Sequence, residues 1–122
     1  MVSRKKAPAR PPAGLTLAYE RVGDVLTITP DRAIEVLNVA KLKAEVLERL
    51  GADAAPHVCF DLASVDFVDS SGIGVFVGIQ ARLKAAGRRL SFCGLNRNVT
   101  ALFRVTQIEK IFTVFPTRAK VR

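Results

Sequence analysis

Apolar and polar residues alternate along 15–20 (LTLAYE) and again along 25–29 (VLTIT). A period of two places one set of side chains on a single side of an extended strand. Between the two runs, Arg21-Val22-Gly23-Asp24 supplies a Gly-Asp turn, so the pattern predicts a β-hairpin. Pro30 lacks an N–H donor and ends the second strand. The period then changes. Val39, Leu42, Val46, Leu47 and Leu50 recur at helical spacing, with Asn38 as the N-cap and Gly51 as the stop. Residues 57–62 (HVCFDL) are apolar at consecutive positions, as in a strand covered on more than one side.

A loop over 63–70 leads to a second helix over about 71–86, with Ile73, Phe76, Ile79 and Leu83 inward. Gly87 stops it, and Arg82 and Lys84 sit near its negative end. Residues 90–93 (LSFC) read as a strand, 97–106 as a third helix with Val99, Leu102 and Phe103 inward, and 111–115 as a last strand. The order β-β-α-β-α-β-α-β predicts an α/β domain: a mixed, mostly parallel sheet with an N-terminal hairpin and about three crossover helices.

Composition bounds this reading. With 122 residues, 49% apolar and 25% charged, the chain has the size and make-up of one globular domain. It has no apolar run of the ~20 residues that a membrane span requires. The net charge of +8 is unevenly placed. Residues 1–14 carry Arg4, Lys5, Lys6 and Arg10 without an acid, and 118–122 carry Arg118, Lys120 and Arg122 without an acid. The body, 15–117, is left with 12 basic and 11 acidic residues and is nearly neutral. The expected organisation is a disordered, proline-rich basic tail over 1–14, a domain over 15–117, and a short basic tail over 118–122. Such tails suit acidic lipid, nucleic acid or an acidic protein patch, or simply solubilise the chain. The body has no basic stripe, so direct nucleic-acid binding is not expected.

Candidate chemistry is sparse. The N-terminus has no apolar core of a secretory signal. Two cysteines without a signal fit a reducing cytoplasm, with Cys59 and Cys93 as buried, inert thiols in strands. One histidine and no cysteine pair at ligand spacing argue against a metal or other cofactor, and His57 is expected at a strand end or on the surface. The informative stretch is Asp61-Leu-Ala-Ser-Val-Asp66-Phe-Val-Asp69-Ser70-Ser71-Gly72-Ile-Gly74. It sets two serines at a predicted helix start, where unpaired N–H groups and partial positive charge receive a cap or a phosphate. Gly72 is expected to leave the serine uncrowded. Gly72, Gly74 and Gly78 do not have dinucleotide-fingerprint spacing and are expected to serve close helix–sheet packing. Position 69 is Asp rather than the Gly of a nucleophile elbow, and the only histidine comes earlier, which excludes a serine hydrolase. Asp61, Asp66 and Asp69 suit turns and caps better than Mg²⁺.

The same stretch resembles the signature D-L-S-x-V-x-x-x-D-S-S-G-L-G of STAS domains of the bacterial anti-sigma factor antagonist type. Val99-Thr-Ala-Leu-Phe-Arg-Val-Thr-Gln-Ile-Glu-Lys-Ile-Phe resembles that family's second block, with Gln107 where the pattern has glycine. The segment 29–38 is longer than the family's and lacks its glycine. The resemblance spans roughly 15–115 and implies an STAS-type fold without catalytic activity. It also implies a cytoplasmic partner switch: unphosphorylated, the protein binds an anti-sigma factor that is also a serine kinase. Phosphorylation of the residue before the glycine, here Ser71, ends binding, and a serine phosphatase reverses it. Asp66, Asp69, Ser70, Ser71 and Gly72 would form the switch and partner-binding loop. The alternative within the family is an accessory subunit of a membrane ABC lipid transporter, which Ser70-Ser71 disfavours.

Overall fold

The computed structural model describes residues 14–122. The basic N-terminal segment expected to be disordered lies, but for Gly14, outside the described residues. The two alternating runs pair as predicted: β1 (Leu17–Val22) and β2 (Val25–Pro30) form an antiparallel hairpin. Gly23 turns it at φ +56°, a conformation glycine adopts without steric cost. β3 (His57–Asp61), β4 (Arg89–Cys93) and β5 (Thr113–Phe115) then add in parallel, giving the sheet order β1-β2-β3-β4-β5. Each parallel strand is laid beside its predecessor in the same direction. Right-handed crossovers therefore leave α1 (Val39–Ala52), α2 (Ser70–Ala85) and α3 (Arg97–Val105) on one face of the sheet.

The core lies between that face and the helices. Leu26, Ile28, Val58, Phe60, Leu90 and Phe92 point up from alternate strand positions to meet Leu42, Val46, Phe76, Ile79 and Phe103. The Phe76 ring lies 5.0 Å from both Phe60 and Phe92, and Phe103 meets Phe92 edge-on at 5.4 Å. Burying each such side chain contributes roughly 1.5–3 kcal/mol.

Some local signals are overruled by tertiary contacts. Asn38 stands at the start of α1 but caps no helical N–H. Its amide instead accepts from Glu35 N–H and donates to Ala33 C=O, tying down the preceding turn. The first helix does not stop at Gly51 but runs to Ala52. Its end is held by the Arg88 guanidinium, which donates to the carbonyls of Leu50, Asp53 and Ala55, satisfying groups that a C-terminal glycine motif would otherwise serve. Gly87, at φ +73°, does end α2. Gln107 occupies the left-handed region at φ 62°, where the family pattern has glycine.

The opposite face of the sheet is polar and thinly covered. Alternation places Thr27, His57, Cys59, Ser91 and Cys93 there, and all five are buried. His57 is not a surface residue. It is 3% exposed, with Nε2 2.6 Å from Ser91 Oγ and Nδ1 3.0 Å from Arg89 Nη2. The Arg89 donor makes Nδ1 the acceptor, so Nε2 carries the proton and donates to Ser91. Burial and then the neighbouring Arg89 hold its pKa below the ordinary value.

The chain end crosses this face. Arg118 donates to Asp61, Glu20 and Thr29, spanning three strands. The Arg122 carbonyl accepts from Arg89, and Val121 lines a hollow with Val22, Val25 and Thr27.

Candidate functional site

The β3–α2 loop is fixed from below before it presents anything above. Leu62 N–H donates to Cys93 C=O, Ala63 N–H to Asp61 Oδ1, and Val65 N–H to Leu62 C=O. Val65 and Val68 are buried and anchor the loop to the core. Its end then runs parallel to the segment before α1. Ile34 N–H donates to Phe67 C=O at 2.9 Å, Asp69 N–H donates to Ile34 C=O at 3.0 Å, and Ile34 pairs with Val68 as a short bridge.

This crossing explains Gly72. A Cβ there would lie 2.7 Å from Val68 Cγ1 and 2.9 Å from Ile34 Cγ2. The glycine therefore serves the crossing of two chain segments under the helix start. Gly74 and Gly78 take no part in helix–sheet packing. A Cβ at either would meet nothing within 4 Å, and both residues are exposed. They line a groove of about 380 Å³ between α1 and α2, together with Ser71, Lys43, Leu47 and Arg82.

Asp69 is the hub of the site. It is the N-cap of α2, and its Oδ1 accepts the Gly72 N–H at 3.0 Å and the Ser71 hydroxyl at 2.5 Å. Its Oδ2 accepts the Val36 N–H at 2.9 Å. Partial burial pushes the carboxyl up, but the bonds from Ser71, Gly72 and Val36 outweigh it and hold the pKa below its ordinary value. The carboxylate is ionised at neutral pH and complements the positive end of α2.

The helix begins at Ser70, one residue before the expected start. Ser70 is exposed and Ser71 half-buried, its hydroxyl turned to Asp69. Asp66 is exposed in the loop and stands apart from the hydrogen bonds joining Asp69, Ser71, Gly72 and Val36. Asp61 belongs to the loop base and to Arg118. The carboxylates therefore do separate jobs. His57 lies on the opposite face of the sheet, so Ser71 has an acceptor in Asp69 but no imidazole base.

The sequence pattern missed an apolar rim. Val36, Leu37 and Phe67 flank the Asp69 cluster and are 69%, 60% and 52% exposed. The signal was present: Val36 and Leu37 fall outside the helical stripe, and Phe67 sits in a loop with no core partner to predict. These three apolar side chains lie in solvent beside the polar Asp69 cluster. Among the described residues, no helix is long and apolar enough to cross a membrane.

Comparison with known proteins extends over nearly the whole described chain. The STAS domain family model matches residues 16–121. The chain is 30% identical to the anti-sigma-B factor antagonist of Staphylococcus epidermidis over 81 residues, which are 66% of this chain and 74% of that protein. It superposes with a TM-score of 0.78 on an anti-sigma factor antagonist from Mycobacterium paratuberculosis, at 19% identity, covering 91% of this chain and 93% of that one. It also superposes with a TM-score of 0.59 on the Bacillus cell fate determinant SpoIIAA in its phosphorylated form, at 17% identity, covering 82% and 91%. At these identities the two solved structures speak for the fold.

Proposed function

The chain belongs to the STAS domain family, and from that premise we propose that it is a cytoplasmic anti-sigma factor antagonist whose binding is switched at Ser71. It acts by binding and not by catalysis. Its partner is an anti-sigma factor that is also a serine kinase, and a serine phosphatase resets it. The observation that carries the reading is the hydrogen bond from the Ser71 hydroxyl to Asp69, at the rim of the apolar surface formed by Val36, Leu37 and Phe67.

The physical account is local. In the unphosphorylated state Asp69 binds the Ser71 hydroxyl, the helix N–H and the Val36 N–H at once, and this fixes the rim. Phosphorylation removes the hydroxyl donor and places a charge of about −1.5 to −2 beside the Asp69 carboxylate. The helix N-terminus tolerates the phosphate, and Lys43 and Arg82 line the groove that opens at Ser71. Repulsion falls on Asp69, and through its other oxygen on Val36. A partner surface fitted to a neutral hydroxyl and an ordered rim meets a dianion and a loosened one. The switch thus alters binding while leaving the core intact.

Two measurements test this. The protein is incubated with the serine kinase of the same cell and ATP, and the site is mapped by mass spectrometry. Phosphate on Ser71 is expected; phosphate on Ser70 alone, or nowhere in the loop, refutes the assignment. The kinase is then titrated calorimetrically against wild type, Ser71→Ala and Ser71→Asp. Binding retained by Ser71→Ala and weakened by Ser71→Asp is expected, whereas equal affinities for all three leave Ser71 as an unregulated part of the helix start.

A further inference from the structure

The opposite face of the sheet holds a feature that the partner switch does not use. Cys59 on β3 and Cys93 on β4 lie on adjacent parallel strands, fully buried, with Sγ atoms 3.7 Å apart. The register explains the approach: Cys59 is opposite Ser91 and Asp61 is opposite Cys93, so the two thiols are diagonal neighbours pointing to the same side. Diagonal pairs on adjacent strands bring side chains within reach of each other. A disulfide requires the sulfurs to close from 3.7 Å to about 2.05 Å; because diagonal Cα atoms on neighbouring strands stand about 7–8 Å apart, beyond the roughly 4.4–6.8 Å of a disulfide, closure also draws the β3 and β4 backbones together at this point.

The geometry points to Cys59 and Cys93 as an oxidisable dithiol, which a peroxide-class oxidant converts into an intramolecular disulfide. The surroundings favour one order of events. The hydrogen bond between the sulfurs, against the opposing effect of burial, lowers the Cys59 pKa, and Ser91 and Arg118 lower it further. The same bond, together with burial, pushes the Cys93 pKa up. Cys59 is therefore the attacking thiolate. It attacks one peroxide oxygen, an S–O bond forms, the O–O bond breaks, and the hydroxide released takes up the proton that Cys59 lost. Cys93 then attacks the sulfenic sulfur; the S–S bond forms, the S–O bond breaks, and hydroxide leaves with the Cys93 proton as a second water. The thiol pair loses two electrons and the peroxide gains two.

Access is governed by the chain end. Arg118, bound to Asp61, Glu20 and Thr29, carries the strap across the face that holds the pair, and the bond from Arg89 to the Arg122 carbonyl fastens its tip. The pair also sits at the root of the switch loop, because Leu62 N–H donates to the Cys93 carbonyl. The proposal does not depend on the assignment of Ser71.

The test uses the full chain, reduced and then freed of reductant. Hydrogen peroxide is added in small excess, and thiols are counted after denaturation, with the digest examined by mass spectrometry. The expected result is loss of both thiols, a Cys59–Cys93 linked peptide and no change in oligomeric mass, reversed by dithiothreitol. In Cys93→Ser, which keeps a hydrogen-bond donor beside Cys59 but cannot resolve it, Cys59 should instead accumulate as a sulfenic acid trapped by dimedone. In Arg118→Lys, which keeps the positive charge but loses the three-way guanidinium grip, the disulfide should form several-fold faster, with the same end point. Persistence of both thiols in natively folded wild type, or their loss only into cross-linked dimers, overturns the proposal. An unchanged rate in Arg118→Lys overturns the role given to the chain end.

Discussion

Asp69 Oδ2 accepts the backbone N–H of Val36 at 2.9 Å, across 33 residues of sequence. With its other oxygen the same carboxylate accepts the Gly72 N–H and the Ser71 hydroxyl. One side chain thus joins the start of α2, the candidate phosphoacceptor and the rim before α1. A modification of Ser71 can be felt at Val36 without any rearrangement of the core, because only Asp69 stands between them.

Asp69→Ala should cost about 2 kcal/mol, since it removes an N-cap worth ~1 kcal/mol and leaves the Val36 N–H without its acceptor. Asp69→Asn keeps one side-chain oxygen and should lose less. Urea denaturation of the three proteins measures the difference.

The glycines of α2 should separate sharply. Gly72→Ala drives a methyl to within 3 Å of Val68 and Ile34 and should destabilise by ~1–3 kcal/mol. Because Val68 is itself buried, Gly72→Ala/Val68→Ala should lose less than the sum of the two single losses. Gly74→Ala or Gly78→Ala meets open space and removes a flexible residue from a helix interior, so each should stabilise by ~0.5–1 kcal/mol. Thermal melts of the single variants and the double variant decide this.

Gln107 should be improvable. Its φ of 62° strains a residue with a Cβ, typically by ~1–2 kcal/mol. Gln107→Gly relieves the strain but adds freedom to the unfolded chain, for a net gain of about 0.5–1 kcal/mol. A rise in Tm of a few degrees is the expected reading.

Acid should weaken the fold in two stages. The folded pKa of His57 is depressed, so as pH falls below about 6.5 the unfolded chain takes up a proton that the native state refuses, and stability drops. That loss ends once pH has passed the lowered folded value. Asp69, also depressed, contributes stability that is present above the ordinary carboxylate range and is lost as pH falls through its folded pKa. Denaturation midpoints between pH 8 and 5 should slope downward in wild type and flatten in His57→Gln.

The architecture is legible in periodicity and turn chemistry alone. The switch from period two to helical spacing located the hairpin, the three helices and the inward residues Phe76, Ile79 and Phe103, because burial on one face imposes that period on any chain that folds this way. The run from Asp61 to Gly74 likewise placed Ser71 at a helix start and left the cap to a serine or to Asp69; the folded chain gives it to Asp69, which accepts the Gly72 N–H three residues on. What passes between distant segments emerges with the folded chain. Gly72 is required because Ile34 and Val68 cross beneath it, while Gly74 and Gly78 line an open groove. α1 ends where Arg88 holds its carbonyls, not at Gly51. His57 is buried because Ser91 and Arg89 satisfy both ring nitrogens, and Cys59 meets Cys93 because the β3–β4 register sets them diagonally. None of these contacts leaves a period or a spacing in the chain. Each depends on which strands lie side by side and on how closely two segments cross, and those distances exist only once the sheet has formed.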